Sequence, residues 1–231
     1  MKKFELTSEF VTNIFGAKLF RIKALVSFGG VEEGEIGGFV EKEENLDHSG
    51  DAWVSDNAQV YGNARVYGNA QVYGNAQVYG DAWVYDDARV YGDARVYGNA
   101  WVYDDAQVYD DAWVSDNAQV YGNAQVYDDA WVSDNAWVSG NARVYGNAQV
   151  SDNAQVYGNK DYSCTNGFGR FGRNTSFFKT KDGSVTVSCG CFSGTIKEFR
   201  EKVKETHKDT KLAKEYLMLA DLMEYHFSEE E

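Results

Sequence analysis

Proline is absent from all 231 residues, and histidine and cysteine occur only three times each. Without proline no position is barred from a backbone hydrogen-bond ladder, so pairing can run uninterrupted along the chain. The cysteines, Cys164, Cys189 and Cys191, are odd in number and confined to the last third. That argues against a disulfide framework and suits reduced thiols in a cytoplasm. No apolar run approaches the roughly 20 residues that a membrane-spanning helix needs. Met1–Lys3 lead into Phe4–Phe10 instead of an apolar signal core. A cytoplasmic protein without membrane contact is expected.

Positive charge is scarce where negative charge is dense. The net charge is −14, and residues 51–159 carry four basic against fifteen acidic residues, whereas 160–231 carry twelve of each. The acidity belongs to the middle segment. It argues against direct nucleic-acid binding by that segment and favours solubility or a basic partner. Composition divides the chain into residues 1–50, 51–159 and 160–231.

The middle segment is one repeat. Val recurs at every sixth position from Val54 to Val156, with Ala two residues before each, giving eighteen hexads such as Ala64-Arg65-Val66-Tyr67-Gly68-Asn69. Strand alternation turns Ala and Val inward and the variable residue and Tyr/Ser outward. The Gly/Asp–Asn/Asp pair turns the chain, because these residues accept left-handed backbone at least cost. Three corners would close an eighteen-residue coil, giving about six coils and roughly 28 Å of stacked structure. A two-sided solenoid with twelve-residue coils would use the same hexad.

The pattern Val-x-x-x-Ala-x resembles the hexapeptide repeat of left-handed parallel β-helix proteins. That resemblance implies a mainly β, three-sided solenoid. Leu19-Phe20-Arg21-Ile22-Lys23-Ala24-Leu25, followed by Gly34 to Leu46, resembles the N-terminal module of phage- or prophage-borne hexapeptide-repeat proteins, which are described only as transferase-like or polymer-forming. Residues 1–50 fit a first cap, since a bare coil leaves an apolar slice and open strand edges. Ile36, Val40 and Leu46 fall on the inward phase of the six-residue count, so degenerate hexads are expected to begin near Ile36, and a strand pair at Lys3–Phe10 and Lys18–Ala24 would cover the opening.

Residues eighteen apart share a face of a three-sided coil. Tyr73, Tyr91, Tyr109, Tyr127 and Tyr145 then form one ladder and Tyr67, Tyr85, Tyr103 and Tyr121 a second. On the third face Tyr61, Tyr79 and Tyr97 give way to Ser115, Ser133 and Ser151. All six tryptophans occupy the variable position, with Trp83 above Trp101 and Trp113 above Trp131; four of them have Ser two residues later, as if to make room. Such faces can stabilise the sheet, mediate self-association as a dimer or trimer, or stack sugar rings on the tryptophan pairs. Asp86, Asp87, Asp104 and Asp105 stack on one corner, and Asp110, Asp111, Asp128 and Asp129 on another. They suit solvated turns, a hard cation such as Ca²⁺, or an acidic decoy for a host DNA-binding or defence protein.

Catalytic signals are missing. Left-handed β-helix acyltransferases resemble one another in a histidine between coils and in loops that leave the helix; here His48, His207 and His226 all lie outside the hexads, and no loop interrupts them. No catalytic residue, cofactor or metal is expected. His48 is the sole candidate base.

The last segment reads as a small α+β module. Gly167-Phe168-Gly169-Arg170-Phe171-Gly172-Arg173-Asn174 is a basic–aromatic loop that faintly resembles the glycine–aromatic signature of RNA-recognition strands but lacks their four-stranded pattern. Arg170 and Arg173 carry its charge. Ser176–Thr180 and Ser184–Phe192 suggest a hairpin around Lys181-Asp182-Gly183, with Cys189 and Cys191 on one face of the second strand and Cys164 able to approach them. Zinc would want a fourth ligand such as His207, and the usual two-residue separation between cysteines is missing, so packed thiols are the simpler reading. Thr195-Ile196-Lys197-Glu198 is a capping box opening a helix with Ile196, Phe199 and Val203 inward. A second helix follows from Thr210, with Leu212, Tyr216, Leu219 or Ala220, Met223 and Phe227 inward. The leading expectation is a non-enzymatic structural or interaction protein, with an anti-defence decoy as the alternative and an acyltransferase third.

Overall fold

In the computed structural model, residues 2–168 and 173–228 are described. Each hexad contributes one two-residue strand formed by its variable residue and valine, from Trp53–Val54 to Gln155–Val156. Every strand pairs in parallel with those one coil away, as Trp101 does with Trp83 and Gln119. Pairing at eighteen residues, not twelve, makes the solenoid three-sided. The hexad alanines and valines are buried, and one continuous core runs from Phe4 through them to Phe178.

The first residue of every corner from Asp56 to Asp152 takes the left-handed conformation. Eight aspartates stand there, including Asp86, Asp104, Asp110 and Asp128, with φ between 55° and 59°. Glycine is required where the next coil crowds the corner: a Cβ on Gly140 would lie 2.4 Å from the Tyr157 carbonyl oxygen.

The solenoid has about seven turns, one more than the hexad count gives. The extra turn begins at Ile36–Val40, where Val40 pairs with Val60, and Leu46 bridges Val66. These partners are twenty residues apart, so two additional residues lie between Leu46 and Val54. A six-residue count carried back from Val54 therefore misplaces Ile36, which is 52% exposed, while Val40 and Leu46 are buried in the valine position. Strands Phe4–Thr12 and Lys18–Ala24 pair antiparallel, and the second joins Ile36–Val40, extending one solenoid sheet to nine strands. Lys3 plugs the opening. Its Nζ donates to the carbonyls of Gly50 at 3.2 Å and Ala52 at 2.8 Å, and burial lowers its pKa to about 8.

The C-terminal module contains four antiparallel strands, not two: Tyr162–Phe168, Arg173–Lys179, Val185–Cys189 and Phe192–Thr195. The expected strand Ser184–Phe192 is broken because Gly190 is left-handed, with φ 64°, and the chain reverses so that Cys189 pairs with Phe192. One face of this sheet sends Tyr162 and Phe178 into the solenoid core. The other packs Phe177 and Val187 beneath α1 (Ile196–His207) and α2 (Lys211–Phe227). The module thus seals the second end of the solenoid. Thr195 and Glu198 form the reciprocal cap of α1. In α2 Ala213 is buried and Leu212 only half-buried, because the inward stripe passes through Ala213, Tyr216, Ala220, Met223 and Phe227.

Candidate interaction surface

In-register parallel pairing places identical side chains one strand spacing apart, about 4.8 Å, which is the stacking distance of the tyrosines. Tyr73, Tyr91, Tyr109 and Tyr127 follow at 4.8–4.9 Å between ring centroids and nearly parallel planes; Tyr145 continues at 5.3 Å. Tyr67, Tyr85, Tyr103 and Tyr121 form the second ladder and Tyr61, Tyr79 and Tyr97 the third. Burial, and then the neighbouring phenols, push Tyr61, Tyr91 and Tyr103 up to about 12. Tyr67, Tyr73, Tyr79, Tyr85, Tyr109 and Tyr127 are raised for the same first reason.

Between coils a diagonal relation recurs at sixteen residues. Tyr91 donates its hydroxyl to Gln107 Oε1 at 3.3 Å. Tyr67, Tyr85 and Tyr97 meet Trp83, Trp101 and Trp113 edge-on. Where Ser115 replaces tyrosine, Trp131 folds back over it and donates Nε1 to its Oγ at 3.3 Å, leaving Ser115 fully buried. The serine does make room for a tryptophan, but for the one in the next coil. Trp83 and Trp101 are stacked at 5.7 Å and 15°, whereas Trp113 and Trp131 meet edge-to-face at 66°. Only the first pair is a parallel stack. The Arg65 guanidinium lies 5.8 Å from the Trp83 ring, so Trp83 sits between an arginine and a tryptophan.

The stacked aspartates Asp86, Asp87, Asp104, Asp105, Asp110, Asp111, Asp128 and Asp129 are all exposed. Several hold one coil to the next: Asp104 and Asp128 accept the backbone amides of Gly122 and Gly146 at 3.1 and 3.0 Å, and Asn69 donates to Asp87 at 3.2 Å. The signal for these coil-to-coil bonds in the sequence is the eighteen-residue spacing of Asp with Gly and of Asn with Asp, which period and alternation alone do not single out. Among the described residues no three Asp, Glu, His or Cys side chains converge as a metal-ligand set.

His48 is built into the first cap. Its Nδ1 accepts the Lys3 amide at 3.2 Å, its ring stacks on Phe4 at 4.4 Å, and its Nε2 lies 3.7 Å from Glu43. It also lines a cleft of about 620 Å³ with Glu43, Asp47, Arg65, Tyr67 and Trp83. The cysteines do not converge. Cys164 lies on the solenoid side of the C-terminal sheet beside Ser176, Cys189 on the helix side beside Thr175, and Cys191 is exposed in the turn. Alternation cannot place Cys191 with Cys189, because the strand ends at Cys189. Arg170 lies outside the described residues, and Arg173 opens a strand paired with Phe168. A four-stranded sheet is present after all, but the solenoid covers one face and the helices the other, so it offers bases no open platform.

No described helix is long and apolar enough to cross a membrane. No curated protein matches the chain. The YdcK Beta solenoid repeat family matches residues 58–74, 70–86, 88–104, 106–122, 118–134, 124–140 and 136–152. These windows fall within the hexads, and with three parallel sheets of coil-to-coil strands around one core the chain is a parallel β-solenoid repeat protein.

Proposed function

We propose that the protein is a non-enzymatic interaction scaffold, encoded by a phage or prophage and acting in the host cytoplasm. Its rigid solenoid offers aromatic faces to a second copy of itself, as a dimer or trimer, or to a host protein. The observation that carries this reading is the set of tyrosine ladders, which stand in register on all three sides; Tyr61 is buried beside Leu19 and Phe39 of the N-terminal strands, and no described loop is laid over the middle coils. Stacked rings form a stiff amphipathic surface whose side chains lose little further entropy on contact. The phage setting rests on the resemblance of Leu19–Leu25 and Gly34–Leu46.

Tyr91→Ser combined with Tyr109→Ser tests it, since serine already occupies the equivalent place at Ser115 and Ser133. Solution mass and capture from host lysate are compared with the unaltered protein. Loss of assembly or of one captured partner is the expected result. Unchanged mass and an unchanged set of partners would overturn the reading.

The exposed carboxylate rows favour a second reading, an acidic decoy that occupies the nucleic-acid site of a host protein. Asp87, Asp105, Asp111 and Asp129 changed to Asn remove four charges while sparing the amide-accepting Asp104 and Asp128. Undiminished capture of a DNA-binding partner would count against it.

A further inference from the structure

The outer face of α2 is apolar and unpartnered within the described chain. Met218, Leu222 and Tyr225 are 70%, 55% and 80% exposed. At spacings of four and three residues they share one stripe, opposite the buried Tyr216, Ala220, Met223 and Phe227. The charges bordering the stripe are divided along the helix. On the edge that carries Lys214 and Asp221 the lysine lies towards the N-terminus and the aspartate towards the C-terminus, while Lys211 pairs with Glu215 at 3.4 Å.

We propose that this face joins two copies of the chain, with α2 packed antiparallel against α2 about a two-fold axis near Met218. Such an interface is isologous: one patch serves both partners. The axis sets Met218 against its own symmetry mate, Tyr225 against Lys211 of the second copy, and Lys214 beside Asp221 of the second copy. A parallel pair would instead oppose lysine to lysine and aspartate to aspartate. Antiparallel packing also aligns the helix dipoles favourably. Asp221 already accepts Arg200 Nη2 at 2.7 Å, yet its side chain remains 72% exposed and open to a second cation.

A second copy fits this face better than a lipid surface does. Two lysines are offset there by Glu215 and Asp221, and the chain as a whole carries −14, whereas an interfacial helix needs a basic polar face. The proposal is independent of the ladders, which stay open in such a dimer. It makes the C-terminal module both a cap and a coupling element. A contact along a helix of about 25 Å lies at the small end of stable interfaces, so association should depend on concentration over the micromolar range.

Sedimentation equilibrium of the full chain from about 1 to 100 μM tests the proposal. The expected result is a monomer–dimer equilibrium that Leu222→Glu weakens at least tenfold while the circular dichroism melt is unchanged. Lys214→Glu should also weaken it, and adding Asp221→Lys should restore it. A strict monomer overturns the proposal, as does a monomer that cosediments with anionic phospholipid vesicles. A dimer that survives Leu222→Glu but dissociates on Tyr91→Ser with Tyr109→Ser overturns it too, and leaves the ladder reading standing.

Discussion

Trp131 reaches back one coil and donates its indole N–H to the Ser115 hydroxyl at 3.3 Å, so a serine, not a tyrosine, lies beneath the lower edge of the tryptophan. With Ser115 fully buried, the space for a larger side chain is already taken by the indole. Ser115→Tyr should therefore destabilise the protein by about 1–3 kcal/mol through overpacking, even though tyrosine is the usual residue at this place in the hexad. Chemical denaturation followed by tryptophan fluorescence measures it, and an unchanged midpoint would contradict the packing described.

Alkaline pH should unfold the solenoid through its ladders. The fold favours the neutral phenol, because burial holds Tyr61, Tyr91 and Tyr103 up to about 12 against about 10 for an unfolded chain. Their stabilisation is complete below pH of about 10 and is lost as pH rises through about 12. Lys3 works the other way: its folded value of about 8 against an ordinary 10.5 means that the cost of burying its charge is relieved between those values. Phenolate absorbance should rise late, together with the loss of β-structure in circular dichroism. Ordinary titration near pH 10 with intact β-structure would show that the rings are solvated.

Two glycines at equivalent corner positions should respond oppositely. Gly140→Ala brings a Cβ to 2.4 Å from the Tyr157 carbonyl oxygen at a left-handed residue and should cost about 2–4 kcal/mol. Gly146 has nothing within 4 Å of such an atom, and Asp128 already occupies the same corner one coil earlier. Gly146→Asp should therefore change stability by less than about 1 kcal/mol. Thermal melting of the two variants, measured together, separates a steric requirement from a general preference for glycine.

In the middle coils Val102→Ala removes two buried methyl groups from a core that cannot collapse around the gap. About 2 kcal/mol should be lost. Because each coil touches only its neighbours, amide exchange should accelerate most in the coils containing Val84 and Val120, which pair directly with Val102. Uniform acceleration along the solenoid would argue that it unfolds as one unit.

Much of this architecture is legible in the residues because the repeat is nearly perfect. A period of six with Ala and Val two apart defines the strand, the inward face and the corner, and the cap at Thr195 and Glu198 follows from one tetrapeptide. What escaped depends on breaks in period or on contacts between coils. The two residues added between Leu46 and Val54 leave no mark in composition, so the six-residue count puts the degenerate hexads after Ile36 in the right stretch of chain but in the wrong phase. Gly190 divides a strand that alternation alone would have continued, and with it moves Cys191 off the sheet. The tilt of Trp131 over Ser115 could not be read from either residue, since it arises from the space between two coils.

The two caps are matched to particular sides of the triangle. Lys3 and Phe4 close the first coil, and Tyr162 and Phe178 close the last. Adding or deleting one hexad would keep every valine inside and every corner intact, yet would turn the C-terminal cap by a third of a revolution relative to the N-terminal one. It would also carry each downstream tyrosine onto a different ladder. Length in this protein is therefore coupled to azimuth: changes that preserve its faces come only in whole coils, and the direction in which α2 projects is counted out by the number of hexads beneath it.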